Sequence, residues 1–256
     1  RLSSCLERKR WHDRELTILD ELEKRNRFIR RTFGRYLSDE IVNTLLEHPD
    51  GLDLGGGYRT VTILMTDIRN FTDMCERLDP ERVVKLLNNY LSVMTRVIMA
   101  YGGTVDEFIG DAVLALFGAP MQRPDDVDRA IACALSMQLA IEEVNALNKA
   151  DGLPEICMGI GINTGEVIAG NIGSDKRLKY AVVGRHVNLT ARVEALTEGG
   201  QVLASDYTVH AASAPLIITS SGSVQMKGIR EEILIHDIRG IAGEYNVFLK
   251  PAGSNG

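Results

Sequence analysis

Asp67 follows a β-branched apolar run at 61–65, the pattern of a buried strand that delivers a carboxylate at its end. Asp111 stands in Ile109-Gly110-Asp111-Ala112, flanked by segments 104–108 and 113–117, which predicts a hairpin with a short glycine-containing turn. Adjacent strands would bring both carboxylates to one edge of a sheet, where two such groups can hold a pair of divalent cations. Hard oxygen ligands suit Mg²⁺ or Mn²⁺, which bridge substrate phosphates and keep several positions for water. Asn188 and Arg192 stand four apart in a helical segment and therefore project from one face. Each feature alone has a plain structural reading: strand-end and turn carboxylates cap backbone groups, and a polar helix face is solvated. No Ser/His or Cys/His arrangement in the sequence suggests a covalent intermediate.

These residues need elements to place them. Residues 1–48 read as a mostly helical arm, in which Leu19, Leu22, Ile29 and Phe33 follow a 3/4 spacing around Asn26. That spacing predicts a short parallel coiled coil, with a single docked amphipathic helix as its alternative. Residues 49–58, rich in glycine, read as a linker, and 59–240 as the main folded domain, with 241–256 as a tail. Asp79-Pro80 is a cap and first-turn proline for a helix running to Gly102-Gly103, and 125–148 is a second long helix. Residues 157–163 and 167–170 read as a strand pair around Thr164-Gly165, 185–196 as a helix, and 201–204, 224–227 and 233–236 as further strands. The sum is α+β, one sheet with helices on one face.

Composition bounds the partners. The 256 residues are 45% hydrophobic and 25% charged, with net charge −6. Residues 1–35 hold 11 basic and 6 acidic groups, net +5, so the remainder carries −11. An acidic body argues against nucleic acid, whose binding relies on clustered Lys and Arg. Cys5, Cys75, Cys133 and Cys157 show no CxxC spacing and read as buried free thiols of a reducing cytoplasm. No apolar run approaches the ~18 residues that span a bilayer, so the chain reads as soluble. Its start at Arg1 suggests a piece of a longer protein whose sensor or membrane part lies elsewhere.

Residues 59–239 resemble the class III adenylyl and guanylyl cyclase catalytic domain through five motifs in that family's order. They are Thr66-Asp67-Ile68-Arg69-Asn70-Phe71-Thr72, Phe108-Ile109-Gly110-Asp111-Ala112, Gly159-Ile160-Gly161-Ile162-Asn163-Thr164-Gly165, Val187-Asn188-Leu189-Thr190-Ala191-Arg192 and Lys227-Gly228. The resemblance implies a ferredoxin-like, palm-type βαββαβ core with an antiparallel sheet, preceded by a helical signalling arm. It implies closure of GTP or ATP to a 3′,5′-cyclic monophosphate with two divalent cations per site, held by Asp67, Asp111 and the Ile68 carbonyl. Amides of Phe71 and Thr72 and the Lys227 ammonium would face the phosphates. Asn188 would orient the ribose and Arg192 would stabilise charge at the α-phosphate. A homodimer with two composite sites follows, because the family draws metal ligands from one subunit and Asn, Arg and base readers from the other. An upstream regulatory domain, a cytoplasmic setting and a membrane attachment of the parent protein are compatible with it.

Base choice is implied by Glu107, where guanylyl cyclases carry Glu and many adenylyl cyclases Lys, so GTP is expected and ATP is the alternative. Lys179 stands where guanylyl enzymes have Arg and would reach guanine O6. Ala181 matches neither enzyme type, and a Glu107–Lys179 surface ion pair is the structural alternative. Two further departures, Asn70 for the usual glycine and Arg185-His186 for Asp-Thr, put phosphate-loop geometry and dimer contacts in question. Competing readings are a diguanylate cyclase, whose GGDEF turn is broken here by two inserted residues, a dimerising non-catalytic module, and a nucleotide sensor without turnover.

Overall fold

The computed structural model describes residues 55–174, 177–225 and 232–250, together with Glu21 and Lys24. The chain divides into a unit Arg1–Leu52 and a unit Asp53–Gly256. The arm expected over 1–48, its coiled-coil spacing, Cys5, and Lys227-Gly228 lie outside the described residues.

The second unit begins with β1 (Gly55–Ile68), α1 (Phe71–Arg77), α2 (Pro80–Ala100), β2 (Thr104–Ile109), β3 (Ala112–Phe117), α3 (Asp126–Ala150) and β4 (Met158–Ser174). It continues with β5 (Arg177–Val183), α4 (Arg185–Glu194), β6 (Val202–Ser205), α5 (Asp206–Ala211), β7 (Leu216–Gln225), β8 (Glu232–Ile241) and β9 (Val247–Phe248). The sheet order is β2-β3-β1-β4-β6-β8-β7, with β5 on β4 and β9 on β8. Its first four strands give the split βαββαβ arrangement of a ferredoxin-like core, with β1 antiparallel to both β3 and β4. Only the β4–β6 pair is parallel among the described strands, as a β4–α4–β6 crossover requires.

Alternation assigns each face. In β3, Val113, Ala115 and Phe117 join the cluster under α2 and α3, while Leu114 and Leu116 join a second cluster on the opposite face. The α2 stripe of Leu86, Tyr90, Val93, Met94 and Ile98 is buried, each large side chain contributing about 1.5–3 kcal/mol. Helix α3 is long and apolar enough to cross a membrane by length and composition, contrary to the expectation that no such run exists. Its residues Ala130–Leu135 and Met137 are instead fully buried in the domain core.

Several expectations need correction. Helices do not share one face: Leu189 and Val193 of α4 pack with Ile233 and Ile235 in a third cluster, apart from the one that α2 and α3 cover. The expected strand pair around Thr164-Gly165 is one continuous strand, β4, which pairs with β1 from Gly55↔Asn171 to Ile68↔Met158. The glycine motif is thus not a turn. Gly55–Gly57, expected in the linker, belong to β1, and Val247–Phe248, expected in a tail, pair with β8. Strand β7 begins at Leu216, well before the strand expected at 224, and Cys157 is exposed rather than buried.

Candidate active site

Strand pairing builds the acidic edge. Thr66 opposes Val113, so the ends of β1 and β3 meet, and Asp111 follows from the β2–β3 turn. Asp111 Oδ2 accepts from the Ile68 amide at 3.0 Å, which sets Asp111 against the end of β1 beside Asp67, near enough for its charge to raise the Asp67 carboxyl. Thr66, one residue earlier, points to the other face and bonds Tyr90 of α2 at 2.7 Å, so β1 is pinned from beneath while Asp67 faces the α4 side.

Arg69 and Glu194 complete this cluster, and motif reading did not single out either. Arg69 Nη2 lies 3.0 Å from Asp67 Oδ2, pairs also with Glu194 at the end of α4, and its Nη1 donates to the Thr197 carbonyl at 3.1 Å. Two carboxylates therefore share one guanidinium, with Asp111 a third acid beside them on the Ile68 amide. Burial, then the charge of Asp111, pushes the Asp67 carboxyl up to about 7, and burial raises Glu194 as well. The surplus negative charge is what a divalent cation relieves. Among the described residues no group of three His, Cys, Asp or Glu side chains is placed to hold a metal. Two carboxylates and a backbone carbonyl make a partial shell, which fits a cation completed by substrate phosphates and water rather than a closed protein cage.

Phe71 and Thr72 open α1 directly after β1, so their amides are among those without an intrahelical acceptor. Asn70 precedes them at φ 59°, ψ 27°, the left-handed region that a glycine would adopt. Asparagine is the side-chain-bearing residue best suited to it, so the departure from glycine preserves the loop.

Asn188 and Arg192 share the outer face of α4, while His186, Leu189, Thr190, Val193 and Glu194 are buried. The sequence brings that helix close by alternation: Ile160 and Ile162 are buried in the cluster beneath α2 and α3, and a Cβ at Gly161 would collide with the Glu194 backbone. A Cβ at Gly165 would likewise strike the His186 ring. His186 is thus packed rather than disruptive: Asn163 Nδ2 lies 3.1 Å from its Nδ1, and burial keeps the ring below its usual pKa.

The base-reading candidates also meet. Lys179 Nζ lies 3.0 Å from Glu107 Oε2 and 3.4 Å from Asp106 Oδ2, so the ion pair considered from sequence is present. Ala181 sits two residues further along β5, opposite Gly170. Away from this site, Ser221 Oγ and His236 Nδ1 lie 2.8 Å apart, and His236 Nε2 is 3.0 Å from Asp206 Oδ1. This Ser/His contact is the cross-strand pair Ser221↔His236, which fastens α5 to the sheet.

A family model described as the adenylate and guanylate cyclase catalytic domain matches residues 56–240. The crystal structure of the guanylyl cyclase Cya2 is 50% identical, covering 77% of this chain and 100% of that one at TM-score 0.75. The adenylyl cyclase CyaB from P. aeruginosa is 32% identical over 72% of this chain and 96% of that one, TM-score 0.69. Adenylate cyclase 1 of Rhizobium meliloti is 31% identical over 92% of this chain but only 36% of its own length.

Proposed function

The chain belongs to the adenylate and guanylate cyclase catalytic domain family, and from that premise we propose that it is a nucleotidyl cyclase that converts GTP to 3′,5′-cyclic GMP and pyrophosphate. The observation that carries the reading is the hydrogen bond from the Ile68 amide to Asp111, which sets that acid beside Asp67 at the ends of β1 and β3, with excess negative charge and a helix N-terminus beside them.

In this reading the ribose 3′-oxygen forms a bond to the α-phosphorus while the bond to the bridging oxygen breaks, and pyrophosphate leaves with that oxygen. Divalent cations, Mg²⁺ or Mn²⁺, would lower the pKa of the 3′-hydroxyl and neutralise the phosphates. Asp67, Asp111 and the Ile68 carbonyl would hold them. The Phe71 and Thr72 amides donate toward the triphosphate, and Lys227 supplies a cation to its terminal phosphates. Asn188 orients the ribose and Arg192 meets charge developing at the α-phosphate. Glu107 and Lys179 read the base, with Ala181 leaving room beside them.

The composite-site homodimer is part of the proposal. Exposed apolar residues on β2 (Phe108, Ile109) and on the β4–β5 pair (Ile168, Ile172, Val183) supply surface for a second copy. We place the domain in the cytoplasm, under an upstream regulatory part. The test is product formation with Mn²⁺ or Mg²⁺, supplying GTP and ATP separately and resolving products by chromatography. Cyclic GMP is expected; cyclic AMP alone overturns the base choice, and no product from either overturns catalysis.

A further inference from the structure

Asp106 is a buried acid to which the proposed chemistry gives no role. Strand β2 pairs with β3 as Thr104↔Leu116 and Val105↔Ala115, then passes to Glu107↔Leu114, so residue 106 is an extra residue, a β-bulge. In a regular strand, consecutive residues point to opposite faces. Here both carboxylates reach the same ammonium, Asp106 Oδ2 at 3.4 Å and Glu107 Oε2 at 3.0 Å from Lys179 Nζ.

The two acids are not equivalent. The Asp106 side chain is 5% exposed and Glu107 51%, with Lys179 at 42%. Burial raises the Asp106 carboxyl and Lys179 opposes that rise, so the buried group depends on its partner. Glu107 has solvent as an alternative and can leave the pair at little cost. Guanine presents N1 and N2 donors beside the O6 acceptor, whereas adenine presents an acceptor at N1 and a donor at N6. An anchored ammonium next to a releasable carboxylate matches the guanine order.

We infer that Asp106 is a specificity-setting positioning residue, anchoring Lys179 so that Glu107 is released to guanine N1 and N2 while the ammonium stays within reach of O6. The inference rests on the guanine reading above. Without Asp106, Lys179 stays on Glu107 and competes with the base for that carboxylate.

The test is Asp106→Asn in the full chain, with KM and kcat for GTP and ATP and a melting curve to confirm folding. The KM for GTP should rise about tenfold, equivalent to about 1.4 kcal/mol, with kcat within about twofold and ATP use nearly unchanged, as expected when substrate binding alone is weakened. In a Lys179→Met background the substitution should add nothing further. That double variant is charge-neutral and keeps the test open if Asp106→Asn alone fails to fold: it should show the raised GTP KM, and a wild-type KM overturns the inference. An Asp106→Asn effect equal for GTP and ATP, or one persisting without Lys179, also overturns it. Wild-type protein that uses GTP alongside a variant with an unaltered GTP/ATP ratio sinks this inference alone. Wild-type protein that uses only ATP sinks the guanine reading, and this with it.

Discussion

Asp67 shows how a site opposes its own fold. Its carboxyl is raised from the ordinary 3.8 to about 7 by burial and by Asp111, so the folded chain binds a proton that the unfolded chain has released between those values. Stability from this group is complete below about pH 4 and is lost as pH rises through about 7. In chelator, Asp67→Asn should therefore melt above wild type at pH 8, with the gap closing toward pH 4. Mn²⁺ should raise the melting temperature of wild type and not of the variant, since a ligand that binds only the folded state stabilises it. A constant gap across pH would refute the electrostatic account, and equal Mn²⁺ shifts would refute the metal assignment. At the proposed base site, Glu107→Lys places a donor where guanine also donates; GTP use should fall at least tenfold, measured as kcat/KM, with ATP use holding or rising.

The element that matters most to the geometry is α4, because it carries Asn188 and Arg192 on one face and Glu194 on the other. Its approach to β4 depends on Gly161, where an added Cβ meets the helix backbone rather than a flexible side-chain tip. Gly161→Ala should cost about 1–3 kcal/mol, the range for overpacking a well-packed site. Activity should fall further than stability alone explains, since the helix must shift to make room. Melting curves and kcat measured well below the transition separate the two, and full kcat at lowered stability would show that α4 position is not limiting.

For the molecule as a whole, the proposed dimer makes a quantitative claim. Asp67→Ala and Arg192→Ala chains are each expected to be inactive. Mixed, they should regain about a quarter of wild-type activity, because about half of the dimers are mixed and one of the two sites in each is intact. No recovery after subunit exchange, verified by a tagged chain, would mean that one chain supplies both groups to the same site.

Much of this was open to sequence reading. Periodicity, the Asp79-Pro80 start and the Gly110 turn follow from local chemistry, and they located α2, α3, β1 and the β2–β3 hairpin with both carboxylates. The motifs gave the family. Tertiary structure decided what local pattern does not encode. Whether Gly159–Gly165 turns or runs straight depended on β1 lying alongside it to satisfy backbone groups over its whole length. Whether Asn70 can stand where a glycine is usual depended on its φ. The meeting of Arg69 with Glu194, 125 residues away, and of Asp106 and Glu107 with Lys179, came from register and a bulge. A single extra residue reverses which face a side chain occupies, and only the pairing partner determines where that residue falls.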